Sequence, residues 1–231
     1  MEDHPSWQAL AGKFIVLDGP DGCGKTTQLD LLEKNFRAGG AAVCRVREPG
    51  GTPIGEQIRD LLLSSRGEGL QMRTEMLLYM ASRAQLVQER IKPALASGQT
   101  VLADRYTSST LAYQGSGGGL PWNDILAVAR AATENIQPDL TIILDLPVDK
   151  ALARLGNGGK NSKNKNQPQS GLFHDRIEQR TKSYHENVRR GFLLQAEQFP
   201  DHYRIVRARG DPQAVAARVA ETIVDFFHLV P

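Results

Sequence analysis

Residues 13–36 read KFIVLDGPDGCGKTTQLDLLEKNF, and this stretch decides the fold. It opens on a short apolar, β-branched run, the pattern of a strand covered on both faces. From Lys25 onward, Leu29, Leu32 and Phe36 fall on one stripe of a helix. Between the two lie Gly19, Pro20, Asp21, Gly22, Cys23, Gly24, Lys25 and Thr26, with Thr27 just inside the helix. This is GxxxxGK[ST] in the strand–loop–helix context the motif requires. Backbone N–H groups at a helix N-terminus surround phosphate oxygens, and the helix dipole favours the anion. Lys25 is a mobile cation for the β- and γ-phosphates, and the Thr26 hydroxyl suits Mg²⁺. Cys23 fills a small-residue slot. The stretch predicts a triphosphate cradle.

Outward from it, four more apolar runs read as strands: 41–46, 99–104, 140–146 and 203–206. Helical patterns separate them. Pro53 opens one through Ile54, Ile58, Leu61 and Leu62; a second spans about 74–97 with a kink or break at Pro93. Further patterns cover 122–135 and 211–227, and a long helix carries Ile177, Tyr184, Val188 and Phe192. The expected fold is α/β: a doubly wound, five-stranded parallel sheet surrounded by helices, one domain over 1–231. One segment breaks the rhythm. Residues 156–171, GNGGKNSKNKNQPQSG, hold no hydrophobic side chain and read as a mobile insertion within a lid of about 154–176.

Composition sets limits. The chain has 231 residues, 40% of them hydrophobic and 23% charged, and its formal charge is +2. That balance argues against a nucleic-acid coat or a polybasic membrane anchor. No apolar run approaches the roughly 20 residues of a membrane span. The start, MEDHPSW, is unlike a secretory signal, and Cys23 and Cys44 fit a reducing cytoplasm. The five histidines are scattered without metal-ligand spacing, so zinc is not expected.

Asp104 ends the third strand, at the sheet edge where such folds bind ligands. It is placed to hold a Mg²⁺-bound water, to orient an acceptor, or to cap a helix. Asp18 ends the first strand in the same way, with no role assigned. The guanine-reading NKxD sequence is missing, since Asn164-Lys165-Asn166-Gln167 lacks the acid, which argues against a GTPase switch. A small-molecule kinase with a closing lid fits better.

Three further runs narrow the acceptor. Arg47-Glu-Pro-Gly-Gly-Thr52 follows strand two, Leu77-Leu-Tyr-Met-Ala-Ser-Arg83 lies on a helix, and Asp104-Arg-Tyr-Thr-Ser-Ser-Thr-Leu-Ala-Tyr-Gln-Gly115 follows strand three. Together with the phosphate loop and Asp175-Arg-Ile-Glu178, in this order, the chain resembles the thymidylate kinases. The resemblance implies transfer of the ATP γ-phosphoryl to dTMP, with Mg²⁺, in a homodimer. It implies that Arg105 holds the acceptor phosphate, with Arg47 a second forked donor and Pro49 beside it. It sets Tyr79 against the thymine ring and Arg83 on a base carbonyl. The alternative is a core aromatic and a surface charge. Thr110, Tyr113 and Gln114 become acceptor contacts, with Tyr113 excluding a ribose hydroxyl. Asp21 matches the acid that accepts from the 3′-OH, and Glu48 helps organise Mg²⁺ or the loop. Some members carry a catalytic arginine directly after that acid, where this chain has Gly22. The transferring phosphoryl would then draw its positive charge from Arg154 or from Lys160, Lys163 or Lys165, with Arg176 and Arg180 beyond. Two other readings stay open: a kinase for another metabolite, and a nucleotide-binding regulator that has lost catalysis.

Overall fold

A computed structural model describes residues 6–161 and 180–229. Five strands form one parallel sheet: β1 (Phe14–Asp18), β2 (Val43–Arg47), β3 (Thr100–Asp104), β4 (Leu140–Asp145) and β5 (Tyr203–Arg207). Their spatial order is β2-β3-β1-β4-β5. The first crossover runs one way past β3, and the crossover from β3 to β4 runs the other way past β1. Such a reversal opens a crevice at the carboxyl ends of the central strands. Register puts Leu17 beside Asp104, and Asp104 beside Arg47, so three strand ends deliver their polar residues to one edge.

Helices cover both faces: α1 (Lys25–Ala38), α2 (Pro53–Leu63), α3 (Met72–Leu86), α4 (Lys92–Ala96), α5 (Thr107–Thr110), α6 (Trp122–Thr133), α7 (Val148–Asn161), α8 (Lys182–Gln198) and α9 (Pro212–Phe227). Ile15 and Leu17 pack toward Leu29 and Phe36 of α1 and Val219 and Ile223 of α9. Phe14 and Val16, pointing the other way along the same strand, pack with Val87, Ile91, Val101 and Tyr106. This double burial is why β1 is a continuous apolar run. Thr52 caps α2, accepting from the Gly55 amide at 3.0 Å, and Pro53 occupies the first turn. Among the described residues no helix is long and apolar enough to cross a membrane.

The structure departs from the sequence reading in four places. The helix expected over 74–97 is α3 and α4 joined by a π-helical turn at Val87–Ile91. The wider turn lies just before Pro93, whose ring nitrogen has no hydrogen to give. Helix α6 stops at Thr133 rather than 135, because Glu134 and Asn135 both take left-handed backbone. Helix α5 and a following π-helical segment, Leu111–Gly117, arise from a Ser-, Thr- and Gly-rich stretch without helical patterning. Helix α7 runs through Asn161, so the start of the low-complexity segment is helical. Ile177 lies outside the described residues.

Phe36 is fully buried on α1, its ring 4.6 Å from that of Trp7. Phe36→Ala is expected to lower unfolding free energy by about 3–5 kcal/mol. Urea titration checks this, and a loss below about 1 kcal/mol would show that the Trp7 contact is not part of the core.

Candidate active site

The loop after β1 is shaped by what lies behind it. A Cβ on Gly19 would meet the Leu144 carbonyl at 2.6 Å, and one on Gly22 would overlap the Ala151 carbonyl of α7. Both glycines have positive φ, so larger residues are excluded by backbone and by space. The missing loop arginine follows from this: α7 leaves no room for a side chain at position 22. Gly24 caps α1 in left-handed backbone. Lys25 folds back into the loop and donates to the Gly19 and Pro20 carbonyls, each at 3.1 Å. Cys23 is buried, and burial pushes its thiol pKa up, which keeps it an unreactive wall residue.

A cleft of about 600 Å³ opens over this loop. Its wall includes Asp21, Gly22, Gly24, Lys25, Thr26 and Thr27 from the loop side. Facing them are Arg47, Glu48, Pro49, Tyr79, Asp104, Arg105, Thr110, Tyr113 and Gln114. The sequence motifs, from Asp21 to Gln114 along the chain, therefore meet in one cavity.

Arg105 is the hub. Its φ of 72° is left-handed, an arrangement that costs about 1–3 kcal/mol in a non-glycine residue. The reversal, pinned by the Arg105 amide on the Leu17 carbonyl at 3.1 Å, turns the side chain back over the loop. There its guanidinium bonds Ser109 at 2.8 Å, Asp18 at 3.3 Å and Tyr113 at 3.3 Å, and pairs closely with Asp21. It also lies 5.0 Å from the centre of the Tyr113 ring. Tyr113 donates to Asp21 at 2.7 Å. Burial works to raise the Asp21 pKa, but the charges of Arg105 and Lys25 and the Tyr113 hydroxyl prevail and hold it below the ordinary carboxylate value. Burial raises that of Tyr113 well above the ordinary phenol, so it stays a hydroxyl.

Thr26 donates to Asp104 Oδ2 at 3.3 Å, while Asp104 Oδ1 is buried with no hydrogen-bond partner among the described residues. Two adjacent hard oxygen donors beside a phosphate cradle, one of them orphaned, fit a Mg²⁺ that completes its shell with phosphates and water. Arg47 stands at the rim, forked onto Glu56 at 2.9 Å from both carboxylate oxygens.

Arg83 is placed differently. It is 1% exposed and does not line the cleft. Its Nε meets both Glu48 oxygens at 2.8 and 3.0 Å, its Nη2 the Tyr106 carbonyl at 2.9 Å, and its Nη1 Thr110 at 3.2 Å. It stands directly behind the wall. Burial raises the Glu48 pKa despite the opposing pull of Arg83. Arg154 also lies outside the cleft wall, with Nη1 3.4 Å from the Cys23 carbonyl and Nη2 3.3 Å from that of Ala208. Arg180 pairs with Glu75 at 2.8 Å. The Lys160 side chain and all of Lys163, Lys165, Asp175–Glu178 and Arg176 lie outside the described residues.

Sequence reasoning missed three participants. Asp18, fully buried, accepts from the Gly19 amide at 2.9 Å, Ser108 at 2.6 Å and Ser109 at 2.8 Å, as well as Arg105. Arg59 lines the cleft and donates to the Pro49 carbonyl at 2.9 Å. Glu75 is fully buried behind Gln114. Its position four residues before Tyr79 and eight before Arg83 was the available signal, since all three share a helix face.

Residues 17–219 match the family model described as thymidylate kinase. The thymidylate kinase of Citrifermentans bemidjiense is 41% identical over 216 residues, covering 92% of this chain and 91% of the relative. That of Pseudomonas syringae pv. tomato is 40% identical over 220 residues, covering 95% and 99%. The crystal structure of thymidylate kinase from Ehrlichia chaffeensis superposes with a TM-score of 0.72 at 27% identity, covering 92% of this chain and 98% of that one. By the span of that family match and by these identities over nearly the whole chain, the chain belongs to the thymidylate kinase family, whose reaction phosphorylates dTMP to dTDP.

Proposed function

We propose that this dTMP kinase moves the γ-phosphoryl of ATP in line onto the dTMP phosphate, with the roles divided among the residues gathered in the cleft. The observation that carries this reading is the Arg105 hub, a forked cation held between the phosphate loop and Tyr113. Donor and acceptor are both anions, so positioning and charge compensation dominate the barrier. Loop amides and Lys25 take the donor phosphates; Arg105, with Arg47 at the rim, takes the acceptor phosphate. Thr26 and Asp104 hold Mg²⁺, which when bound offsets phosphate charge. Asp21 accepts from the sugar hydroxyl, and Tyr113 closes the space of a ribose 2′-OH. Tyr79 and Pro49 flank the base, and Arg83, behind the wall with Nη1 on Met80 Sδ and Thr110, acts on a base carbonyl through the Thr110 hydroxyl it holds. Arg154 or a lysine of the 154–176 lid supplies further positive charge.

Two chains form the working unit in this reading. Ile54 on α2 and Leu77 on α3 are 51% and 48% exposed, and pairing would cover them. A reducing, cytoplasmic setting suits the two buried free cysteines.

Coupled ADP release with dTMP, dUMP, dCMP, dGMP and UMP tests the reading, with dTMP expected to lead. Lys25→Ala should lower kcat at least about a thousandfold, the scale of a lost phosphate-clamping charge. Arg83→Ala should harm use of dTMP while leaving the KM for ATP near its original value. Unchanged dTMP kinetics in Arg83→Ala would remove the base-reading role, and unchanged turnover in Arg154→Ala and every lid-lysine variant would remove the lid charge.

The folded Asp21 carboxyl has a depressed pKa. Its contribution to stability is therefore present above the ordinary value of 3.8 and lost as pH falls through the lower folded value. Melting temperature should fall more steeply below about pH 3.8 in the parent chain than in Asp21→Asn. Parallel curves would show that the Arg105 pairing carries no such linkage.

A further inference from the structure

We propose that Glu75 is a positioning residue: it fixes the polarity of the Gln114 amide so that the acceptor slot selects a pyrimidine carrying N3–H. The proposal rests on the reading of this cleft as the dTMP site and assigns the device that chooses among pyrimidines.

A glutamine amide is ambiguous by itself. Its two ends are nearly the same size, one donating and one accepting, and rotation exchanges them. A free glutamine facing a base would serve a 4-oxo pyrimidine through its oxygen and a 4-amino pyrimidine through its NH₂. Gln114 is not free. Its Nε2 lies 2.8 Å from Glu75 Oε1, and a carboxylate accepts but has no hydrogen to offer. The NH₂ end must therefore face α3. Oε1, which makes no hydrogen bond among the described residues, is the end left for the cleft that Gln114 lines.

Glu75 can act in this way because it is itself held. It has no exposed surface, and a carboxylate so buried is costly unless paired. Arg180 Nη2 reaches its second oxygen at 2.8 Å. The Arg180 guanidinium in turn lies 4.5 Å from the centre of the Tyr184 ring, and Tyr184 donates to the Tyr113 carbonyl at 3.0 Å. The carboxylate is clamped on one side by Arg180, just before α8, and orients Gln114 on the other.

The consequence is chemical. Thymine and uracil present N3–H as a donor, which Oε1 accepts. Cytosine presents a bare N3, so two acceptors would face one another in a dry wall, and neither would be satisfied. A glutamine at position 75 would remove the constraint, because it donates as readily as it accepts.

The test uses the full chain with ATP and dTMP, and dCMP as competing ligand. Glu75→Gln is nearly isosteric. It should lower the ratio of the dCMP inhibition constant to the dTMP KM about tenfold, the weight of one hydrogen bond to a charged group. The KM for ATP should stay within about twofold, a split that general loosening of the fold would not give. Gln114→Leu should lose the same discrimination, and Glu75→Gln should add nothing in that background. A parent-like ratio in folded Glu75→Gln, or an equal loss from Glu75→Gln on top of Gln114→Leu, overturns the proposal. Should Glu75→Gln not melt cooperatively, Glu75→Asp takes its place: its shorter arm should give up the Gln114 contact and lower the same ratio, and a parent-like ratio overturns the proposal. A parent chain that ignores dTMP altogether would instead overturn the reading of the slot.

Discussion

Asp18 ends β1 with no exposed surface, and its two oxygens gather the Gly19 amide, the Ser108 and Ser109 hydroxyls and the Arg105 guanidinium. A buried charge of this kind is tolerable only when its lone pairs are filled, and here each oxygen is engaged. The arrangement joins elements that the sequence separates widely. One donor belongs to the phosphate loop after β1; the others belong to the turn and helix after β3. The phosphate loop and the segment that follows β3 thus share one anchor. It also explains how Arg105 persists in left-handed backbone, since the strain is offset by several charge-assisted contacts.

Charge balance decides what the cleft can hold. Its described wall carries Lys25, Arg47, Arg59 and Arg105 against Asp21, Glu48 and Asp104. Two unit charges 4 Å apart repel by about 4 kcal/mol at an effective dielectric of 20, and two phosphate groups bring several such pairs. The side-chain surplus alone is slight. Loop amides and the α1 dipole must add to it, and Asp104 with Thr26 would hold a Mg²⁺ whose charge would offset that of the phosphates. Asp21 pairs with Arg105, which it shares with Asp18, and Glu48 pairs with Arg83, so neither faces the cleft as a bare charge.

Most of the scaffold was legible because its signals are local. All five strands are short β-branched runs, and the glycine loop declares both the end of β1 and the start of α1. The segment 107–117 was not legible. Its Ser, Thr and Gly residues favour turns by propensity, and it is held helical by burial and by Asp18, which are tertiary causes. The site divides along the same line. Spacing put Tyr79 and Arg83 on one face of α3, yet nothing local shows that Glu48, thirty-five residues earlier, occupies the Arg83 guanidinium. Nor does sequence show Arg154 resting on loop carbonyls rather than facing the cleft. Motifs reveal which residues converge; partners contributed by other elements decide where each side chain points.

The acceptor wall shows why such partners are worth their burial. Glu48–Arg83 is a buried pair and Glu75–Arg180 joins a buried carboxylate to a partly exposed arginine, and a packed hydrophobic substitute for such a pair often stabilises a fold as well or better. Stability is therefore a poor reason for two of them beside one slot. Direction is a better one. A carboxylate can only accept and a guanidinium can only donate, so each pair imposes a sign on the neutral group it touches, Gln114 in one case and Thr110 in the other. An apolar wall would leave those groups free to turn toward whichever base arrived. Because Glu75 and Arg83 stand on one face of a single fifteen-residue helix, the two signs are also fixed relative to each other. That is the geometry needed to recognise adjacent groups on one edge of a ring.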